Sequence, residues 1–267
     1  EINITDDEVI VEGVGLHGLE APSEALYTGN SGTTTRLLCG ILAGQPFTVT
    51  MSGDPSIQKR PMGRVMKPLR EMGASIEGKN DNFCPLTLYP SELHGIEYRL
   101  PVASAQLKSA ILLAGLYAEG QTTVIEPAPS RDHTERMFRA LGVEIETNGS
   151  TITLDPPEDL HAVDIAVPGD ISSAAFFLVA GAIIPGSELT IKNVGVNPTR
   201  TGILDVLRDM GADITESNFR DEAEPVCDLT VKYSKLHGVE VGGAIIPRLI
   251  DELPVIAVAA AFAEGET

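Results

Sequence analysis

The sequence has no tryptophan, and aromatic residues make up only 4% of it. An aromatic-rich binding module is therefore excluded. Packing must rest on small and aliphatic side chains, as in layered α/β folds. Basic residues are scarce as well: 19 lysines and arginines stand against 38 aspartates and glutamates, a formal net charge of −19. A nucleic-acid surface needs clustered Lys and Arg to neutralise phosphates, so no nucleic-acid partner is expected. In such an acidic chain, any local group of arginines must serve something locally anionic. Cysteine is limited to Cys39, Cys84 and Cys227. Their odd number, wide spacing and lack of a CxxC pair give neither a disulfide framework nor a zinc site, and suit thiols in a reducing compartment. Long apolar runs are missing too. Ala174–Pro185 and Leu253–Ala263 are the longest, well short of the ~20 residues of a membrane span. No signal peptide is visible, and a cytoplasmic protein without membrane association is expected. The chain lacks an initiator methionine and stops at Thr267 inside a continuing pattern, so truncation at both ends is expected.

What the sequence does have is a repeat. Met72-Gly73-Ala74, Leu141-Gly142-Val143 and Met210-Gly211-Ala212 each close an amphipathic run, and their glycines recur at intervals of 69 residues. Leu-His-Gly occurs at Leu16–Gly18, Leu93–Gly95 and Leu236–Gly238, with the variant Leu160-His161-Ala162 between them. Small-residue helix starts at Ser31-Gly32, Ser104-Ala105 and Ser172-Ser173 keep the same phase. Three markers in one phase define a repeat of ~70 residues.

The middle copy spells out the unit. Glu97–Val102 predicts a strand, Ser104–Tyr117 a buried helix, Thr122–Glu126 a strand and Asp132–Leu141 an amphipathic helix. Val143–Thr147 and Thr151–Leu154 predict strands joined by an Asn148-Gly149 turn. The unit is βαβαββ. Other copies predict helices near Met62–Met72, Ile171–Ile183, Thr199–Met210 and Pro247–Ala263. A unit of this kind cannot cover its own apolar helix, so several must pack helix against helix. The two prolines of Asp155–Glu158 approach a linker, which gives a first domain at residues 1–161 and a second at 162–267.

The candidate chemistry gathers at helix starts. Gly29–Arg36 (Gly-Asn-Ser-Gly-Thr-Thr-Thr-Arg) is a tight turn with good N-cap residues, followed by helical spacing from Leu37. Free N–H groups at such a start attract phosphate or carboxylate, and Arg36 adds charge. An ordinary capped helix fits the same residues. Gln58-Lys59-Arg60-Pro61 places two cations at an expected helix start, with Pro61 in a favoured first-turn position. Cations there oppose the helix dipole, which leaves a solvated pair or an anion site. Ser130-Arg131-Asp132-His133 and Asn197-Pro198-Thr199-Arg200 repeat that layout. Ser104-Ala105-Gln106-Leu107-Lys108 opens a buried helix with polar side chains that either cap it or bind a ligand. Asp251 and Glu252 head a very apolar helix, where they suit the dipole or act as acid and base. Four of the five histidines mark the repeated turn and read as structural; His133 does not. The residues alone describe a repeat α/β protein whose helix starts bind a multiply anionic small molecule.

GNSGTTTRLL, KRPMGRVMKPLREMGA, PVASAQLKSAILLAGL, SRDHTERM and RLIDELPVIAVAAA closely resemble the 3-phosphoshikimate 1-carboxyvinyltransferase (EPSP synthase) family, in order and along essentially the whole chain. The resemblance implies an inside-out α/β barrel fold of repeated βαβαββ units in two domains. It implies transfer of the enolpyruvyl group of phosphoenolpyruvate to the 5-hydroxyl of shikimate 3-phosphate, on the path to aromatic amino acids, with no metal or organic cofactor and as a monomer. By motif, it implies that Ser104, Ala105, Gln106, Ser130, Arg131 and Asp251 bind shikimate 3-phosphate. Gly32, Arg60 and Gln106 would bind phosphoenolpyruvate, Arg36 would support the Gly32 loop, and Asp251 would handle the proton of the attacking hydroxyl.

The chain departs from the family pattern in lacking its N-terminal Lys-Ser pair with the following Arg, and its C-terminal Lys-Glu-x-x-Arg segment. Little or no turnover by this chain alone is expected. Three rival readings remain. One is the sister transferase acting on UDP-N-acetylglucosamine, which normally uses a loop cysteine that neither Cys39 nor Cys84 matches. The second is a non-catalytic module that binds shikimate 3-phosphate. The third is a generic nucleotide-binding domain, against which stand the missing phosphate-loop lysine and the 69-residue period.

Overall fold

In the computed structural model, residues 2–5, 8–221 and 223–267 are described. The chain opens with an antiparallel pair, β1 (Ile2–Ile4) and β2 (Val9–Val11). The first complete copy follows as β3 (Leu26–Tyr27), α1 (Gly32–Ala43), β4 (Val49–Ser52), α2 (Gly63–Glu71), β5 (Ser75–Lys79) and β6 (Phe83–Tyr89). Its sheet runs β3-β4-β6-β5, with β3 parallel to β4 and the other pairs antiparallel. The second copy is β7 (Glu97–Arg99), α3 (Ala105–Gly115), β8 (Thr122–Ile125), α4 (His133–Ala140), β9 (Ile145–Asn148) and β10 (Thr151–Leu154), and its order β7-β8-β10-β9 repeats the first. The third contributes α5 (Ile171–Ile183), β11 (Glu188–Gly195), α6 (Gly202–Asp209), β12 (Asp213–Asp221) and β13 (Pro225–Lys232), in the order β11-β13-β12. A parallel bridge from Gly169 to Val194 stands where its first strand would be. The last helix is α7 (Leu253–Ala261). The fold is mixed α/β, and each of the two four-stranded sheets joins a parallel βαβ crossover to an antiparallel hairpin.

The repeat markers close each copy in the same way. Gly73, Gly142 and Gly211 have φ of +102°, +85° and +93°, the left-handed geometry that ends a helix and favours glycine. After the antiparallel hairpin that follows, the amide of His94, His161 or His237 donates to the carbonyl of Met72, Leu141 or Met210, at 2.9 Å in all three copies. The histidines therefore latch the next segment to the helix end just completed.

Three helix starts differ from their sequence expectation. The helix expected from Pro247 begins at Leu253, because Gly243–Arg248 forms a 3₁₀ turn first. The other two differ for local reasons. Pro61 does not open α2. The Met62 amide bonds to the Asn82 carbonyl at 2.7 Å, and the Asn82 side chain caps the Gly63 amide at 2.8 Å, so α2 begins at Gly63 under a cap from the β5–β6 turn. The helix expected from Thr199 begins at Gly202. Asn197 Oδ1 accepts from the Thr199 amide at 2.9 Å and folds residues 197–201 into a turn first.

The chain divides into two compact units, residues 1–128 with 137–163, and residues 129–136 with 164–267. The short segment 129–136 thus belongs to the second unit, although it precedes residue 161. Each unit has its own core. The first gathers Met51, Met66, Leu86, Leu107, Ile111 and Leu112, and the second Leu178, Val179, Ile203, Leu207, Leu229 and Val231.

Within the first unit, α1 and α3 lie unusually close. A Cβ on Gly40 would fall 2.2 Å from the Ala110 carbonyl oxygen, and one on Gly44 2.5 Å from Tyr117. The paired positions rise together along both helices, from Thr33 with Gln106 to Gly44 with Tyr117. The helices are therefore parallel and begin side by side. Gly40→Ala is expected to destabilise the first unit by about 1–3 kcal/mol or more, because the obstacle is backbone. Urea unfolding monitored by circular dichroism measures it.

Candidate functional site

The first site is built where α1 and α3 start together. Ser31 caps α1, its Oγ accepting from the Thr34 amide at 3.0 Å. Ser104 caps α3, its Oγ accepting from the Leu107 amide at 3.4 Å. The buried hydroxyls of Thr28 and Thr35 bond at 2.8 Å and pin the turn ahead of α1. Gln106, one residue into α3, spans both helices. Its Oε1 accepts from Arg36 Nη1 at 2.7 Å, and its Nε2 donates to Thr33 Oγ1 at 2.7 Å.

Arg60 reaches the same turn from a different element. Gly53 lies directly against the Gly29 carbonyl, where a Cβ would stand 2.1 Å away. Asp54 then folds the next residues into a 3₁₀ turn, accepting from the amides of Ser56 at 2.9 Å and Ile57 at 2.8 Å. That turn delivers Arg60, whose Nη2 donates to Asn30 Oδ1 at 2.8 Å.

The two guanidiniums converge on Gly32. A Cβ there would meet Arg36 Nη1 at 2.9 Å and Arg60 Nη1 at 3.2 Å. Burial, reinforced by the charges of Arg60 and Arg64, pulls the Arg36 guanidinium below its ordinary value. Positive charge is thus gathered where two helix N-termini also point, a combination suited to a small anion. Beneath it, Lys108 is 1% exposed and pairs with Glu126 at 3.0 Å. Cys39 is buried in α1, and burial, followed by the proximity of Cys84, pushes its thiol up to about 12. All three cysteines are free and buried.

The second unit holds a different constellation. Arg131 Nη2 donates to Asp251 Oδ2 at 2.5 Å, with the two side chains 33% and 52% exposed. This pair joins residues 120 apart in sequence. Asp132, beside Arg131, accepts from Asn197 Nδ2 at 2.7 Å and from Arg136 Nε at 2.9 Å. His133 Nδ1 bonds Glu224 Oε1 at 2.7 Å, and Asn197 Nδ2 bonds Glu224 Oε2 at 3.0 Å. Burial works to raise the Glu224 carboxyl, but the hydrogen bonds from His133 and Asn197 outweigh it and hold the carboxyl below its ordinary value. Asp132 is likewise held low against its burial, by Asn197 and Arg136. His133, Asn197 and Glu224 line part of a cavity of about 180 Å³.

The sequence-selected residues therefore fall into two sets. Gly32, Arg36, Arg60, Ser104, Ala105 and Gln106 belong to the first unit, with direct contacts linking Arg36, Arg60 and Gln106 to the α1 start. Ser130, Arg131 and Asp251 belong to the second. Sequence reasoning took Asn30 and Thr33 only as capping candidates, and did not single out Arg64, Glu224 or the pairing of Lys108 with Glu126. The one available signal was Glu126, a carboxylate closing an apolar strand. Among the described residues, no group of three or more His, Cys, Asp or Glu side chains is placed to hold a metal ion. No helix there is long and apolar enough to cross a membrane.

The family model of EPSP synthase (3-phosphoshikimate 1-carboxyvinyltransferase) matches residues 1–267. The chain belongs to the EPSP synthase family. A 3-phosphoshikimate 1-carboxyvinyltransferase of Geobacillus thermodenitrificans is 59% identical over 269 residues, covering 100% of this chain and 62% of that protein. One from a Thermoanaerobacter species is 56% identical, covering 100% and 63%. The chain thus spans a little over three-fifths of the length of these family members. The EPSP synthase of Acinetobacter baumannii superposes with a TM-score of 0.92 at 50% identity, covering 99% of this chain and 61% of that one. The enolpyruvyl transferase NikO of Streptomyces tendae, at 19% identity and a TM-score of 0.61, shares the fold, over 85% of this chain and 53% of its own.

Carboxyls held low in the folded state stabilise it above their ordinary values of 4.5 for Glu224 and 3.8 for Asp132. That contribution is lost as pH falls through the depressed folded values. The melting temperature of the second unit is expected to hold from pH 7 to 5 and to drop below about pH 4. Glu224→Gln is expected to lie below the parent at pH 7 and to converge on it by pH 3. Calorimetric scans at stepped pH check both.

Proposed function

We propose that this chain serves the transfer of the enolpyruvyl group of phosphoenolpyruvate to the 5-hydroxyl of shikimate 3-phosphate, with release of phosphate, in a cytoplasmic route to aromatic amino acids. The observation that carries the reading is the family match over every residue. The convergence of Arg36 and Arg60 on Gly32 at two adjoining helix starts supports it physically. In this reading Ser104, Ala105, Gln106, Ser130, Arg131 and Asp251 bind shikimate 3-phosphate. Gly32, Arg60 and Gln106 bind phosphoenolpyruvate, and Arg36 holds the Gly32 loop and Gln106 in place. Neither substrate needs a metal or organic cofactor for this chemistry.

The proposed reaction is addition followed by elimination. The 5-hydroxyl oxygen bonds to C2 of the enol while its proton passes to Asp251, and C3 gains a proton. The resulting tetrahedral intermediate then loses phosphate from C2 and a proton from C3, which restores the enol in the product. Fixed guanidiniums and helix N-termini stabilise the phosphate charge without reorganising, the largest single contribution in many enzymes. Holding both substrates together supplies the rest.

Calorimetric titration with shikimate 3-phosphate tests the binding half. Saturable binding is expected, with Arg131→Ala at least tenfold weaker through loss of a charge-assisted hydrogen bond. No binding, or equal binding by the variant, would sink the reading of Arg131. Gly32→Ala is expected to push the tips of Arg36 and Arg60 apart and to weaken phosphoenolpyruvate binding by about tenfold, more than it weakens shikimate 3-phosphate. Equal losses for the two ligands would refute the assignment of Gly32 to phosphoenolpyruvate.

A further inference from the structure

We infer that the loop of residues 197–201 is the positioning element of the Arg131–Asp251 pair, with Arg200 setting Asp251 and Asn197 setting Arg131. The need for such an element is physical. The two partners come from distant segments, and both are partly exposed. An exposed ion pair contributes ~1 kcal/mol or less and cannot fix its own geometry. The geometry must come from what stands behind each partner.

Behind Asp251 stands Glu252, 3% exposed. It occupies the N-cap position of α7 but makes no side-chain cap bond. Its Oε1 instead accepts from the Ser172 hydroxyl, near the start of α5. Having given its only proton to Glu252, Ser172 Oγ faces Arg200 as an acceptor, and Arg200 Nη2 donates to it at 2.6 Å. Arg200 Nη2 also donates to Asp170 Oδ1 at 3.2 Å, and Asp170 caps α5 through the Ser173 amide at 2.9 Å. Arg200, Ser172 and Glu252 therefore form a relay whose proton directions are all determined, and it ends one residue from Asp251. The same loop holds the turn before Asp251. Arg248 Nε donates to the Pro198 carbonyl at 2.8 Å, and Arg248 Nη2 to Thr201 Oγ1 at 3.2 Å.

Behind Arg131 stands Asn197, 2% exposed. Both of its amide protons are spent, one on Asp132 Oδ1 at 2.7 Å and one on Glu224 Oε2 at 3.0 Å. Its carbonyl oxygen accepts from the Thr199 amide at 2.9 Å and the Thr199 hydroxyl at 2.6 Å. Asn197 thus ties the residue next to Arg131 to the loop that carries Arg200. One five-residue loop grips both flanks of the pair. This role rests on the reading of Asp251 as the carboxylate that takes the substrate proton.

The test needs no substrate. In carbon-detected NMR spectra, the guanidinium nitrogens of Arg131 give separate signals while Asp251 holds the group still, and they average when it rotates freely. Separate signals are expected in the parent chain. Averaging is expected in Arg200→Ala and in Ser172→Ala with the amide fingerprint preserved, and separation again in Ser172→Thr, which returns the hydroxyl. Should Arg200→Ala fail to fold, Ser172→Ala decides, since it removes one oxygen. In parallel, affinity for shikimate 3-phosphate is expected to fall about tenfold in each alanine variant, and no further in the double variant, as a single relay requires. Unchanged signals in the alanine variants, averaging already in the parent, or no recovery with threonine would overturn the positioning role. Failure of the parent to bind shikimate 3-phosphate would count against the substrate reading, while the guanidinium signals would still decide the relay.

Discussion

The close parallel contact of α1 with α3 is the constraint on which the first unit depends. Gly40 lets the two helices approach until backbone meets backbone, and Gly44 leaves room for the Tyr117 side chain. An apolar helix on a four-stranded sheet remains half uncovered, and this contact covers it. Because the helices run the same way, the contact also decides where they start. Gln106 can reach Arg36 and Thr33 together only because the two N-termini lie side by side. The packing solution and the anion-suited corner are thus one arrangement seen from two ends.

The second unit uses the same device with opposite chemistry. The starts of α5 and α7 are joined by Ser172 and Glu252, a hydroxyl and a buried carboxylate. In the first unit the junction is crossed by a neutral amide of α3, Gln106, that accepts from an arginine of α1, Arg36. In the second, the arginine comes from the 197–201 loop. One repeat has been given different polar side chains at equivalent junctions, and this separates a cationic corner from a mixed pair of Arg131 and Asp251.

The architecture was legible in the sequence because it depends on short-range signals repeated in phase. Glycines 69 residues apart predicted helix ends that need left-handed backbone, and the periodicity of Ile171–Ile183 gave both boundaries of α5. Where a boundary was misplaced, another local structure had intervened: a cap from Asn82 at α2, a turn folded by Asn197 ahead of α6, and a 3₁₀ turn over Gly243–Arg248 ahead of α7. The site was legible as residue types and not as pairings. Arg131 and Asp251 stood out as charges at helix starts, yet nothing in their local sequence says that they meet across 120 residues. The buried Lys108–Glu126 pair was harder still, because a lysine in the first turn of a buried helix does not show which carboxylate tertiary packing will bring to it.

Parallel helices lying side by side have a further consequence. Their dipoles align head beside head, so the positive ends of α1 and α3 repel each other, and Arg36 and Arg60 add to the strain. A negative charge placed at this corner would relieve that repulsion. Substitutions that remove charge near Gly32 would ease the repulsion and, in the same step, weaken the attraction on which the proposed anion binding rests. Thermal robustness and affinity are therefore opposed at this corner, a trade-off located in a few side chains and not spread through the core.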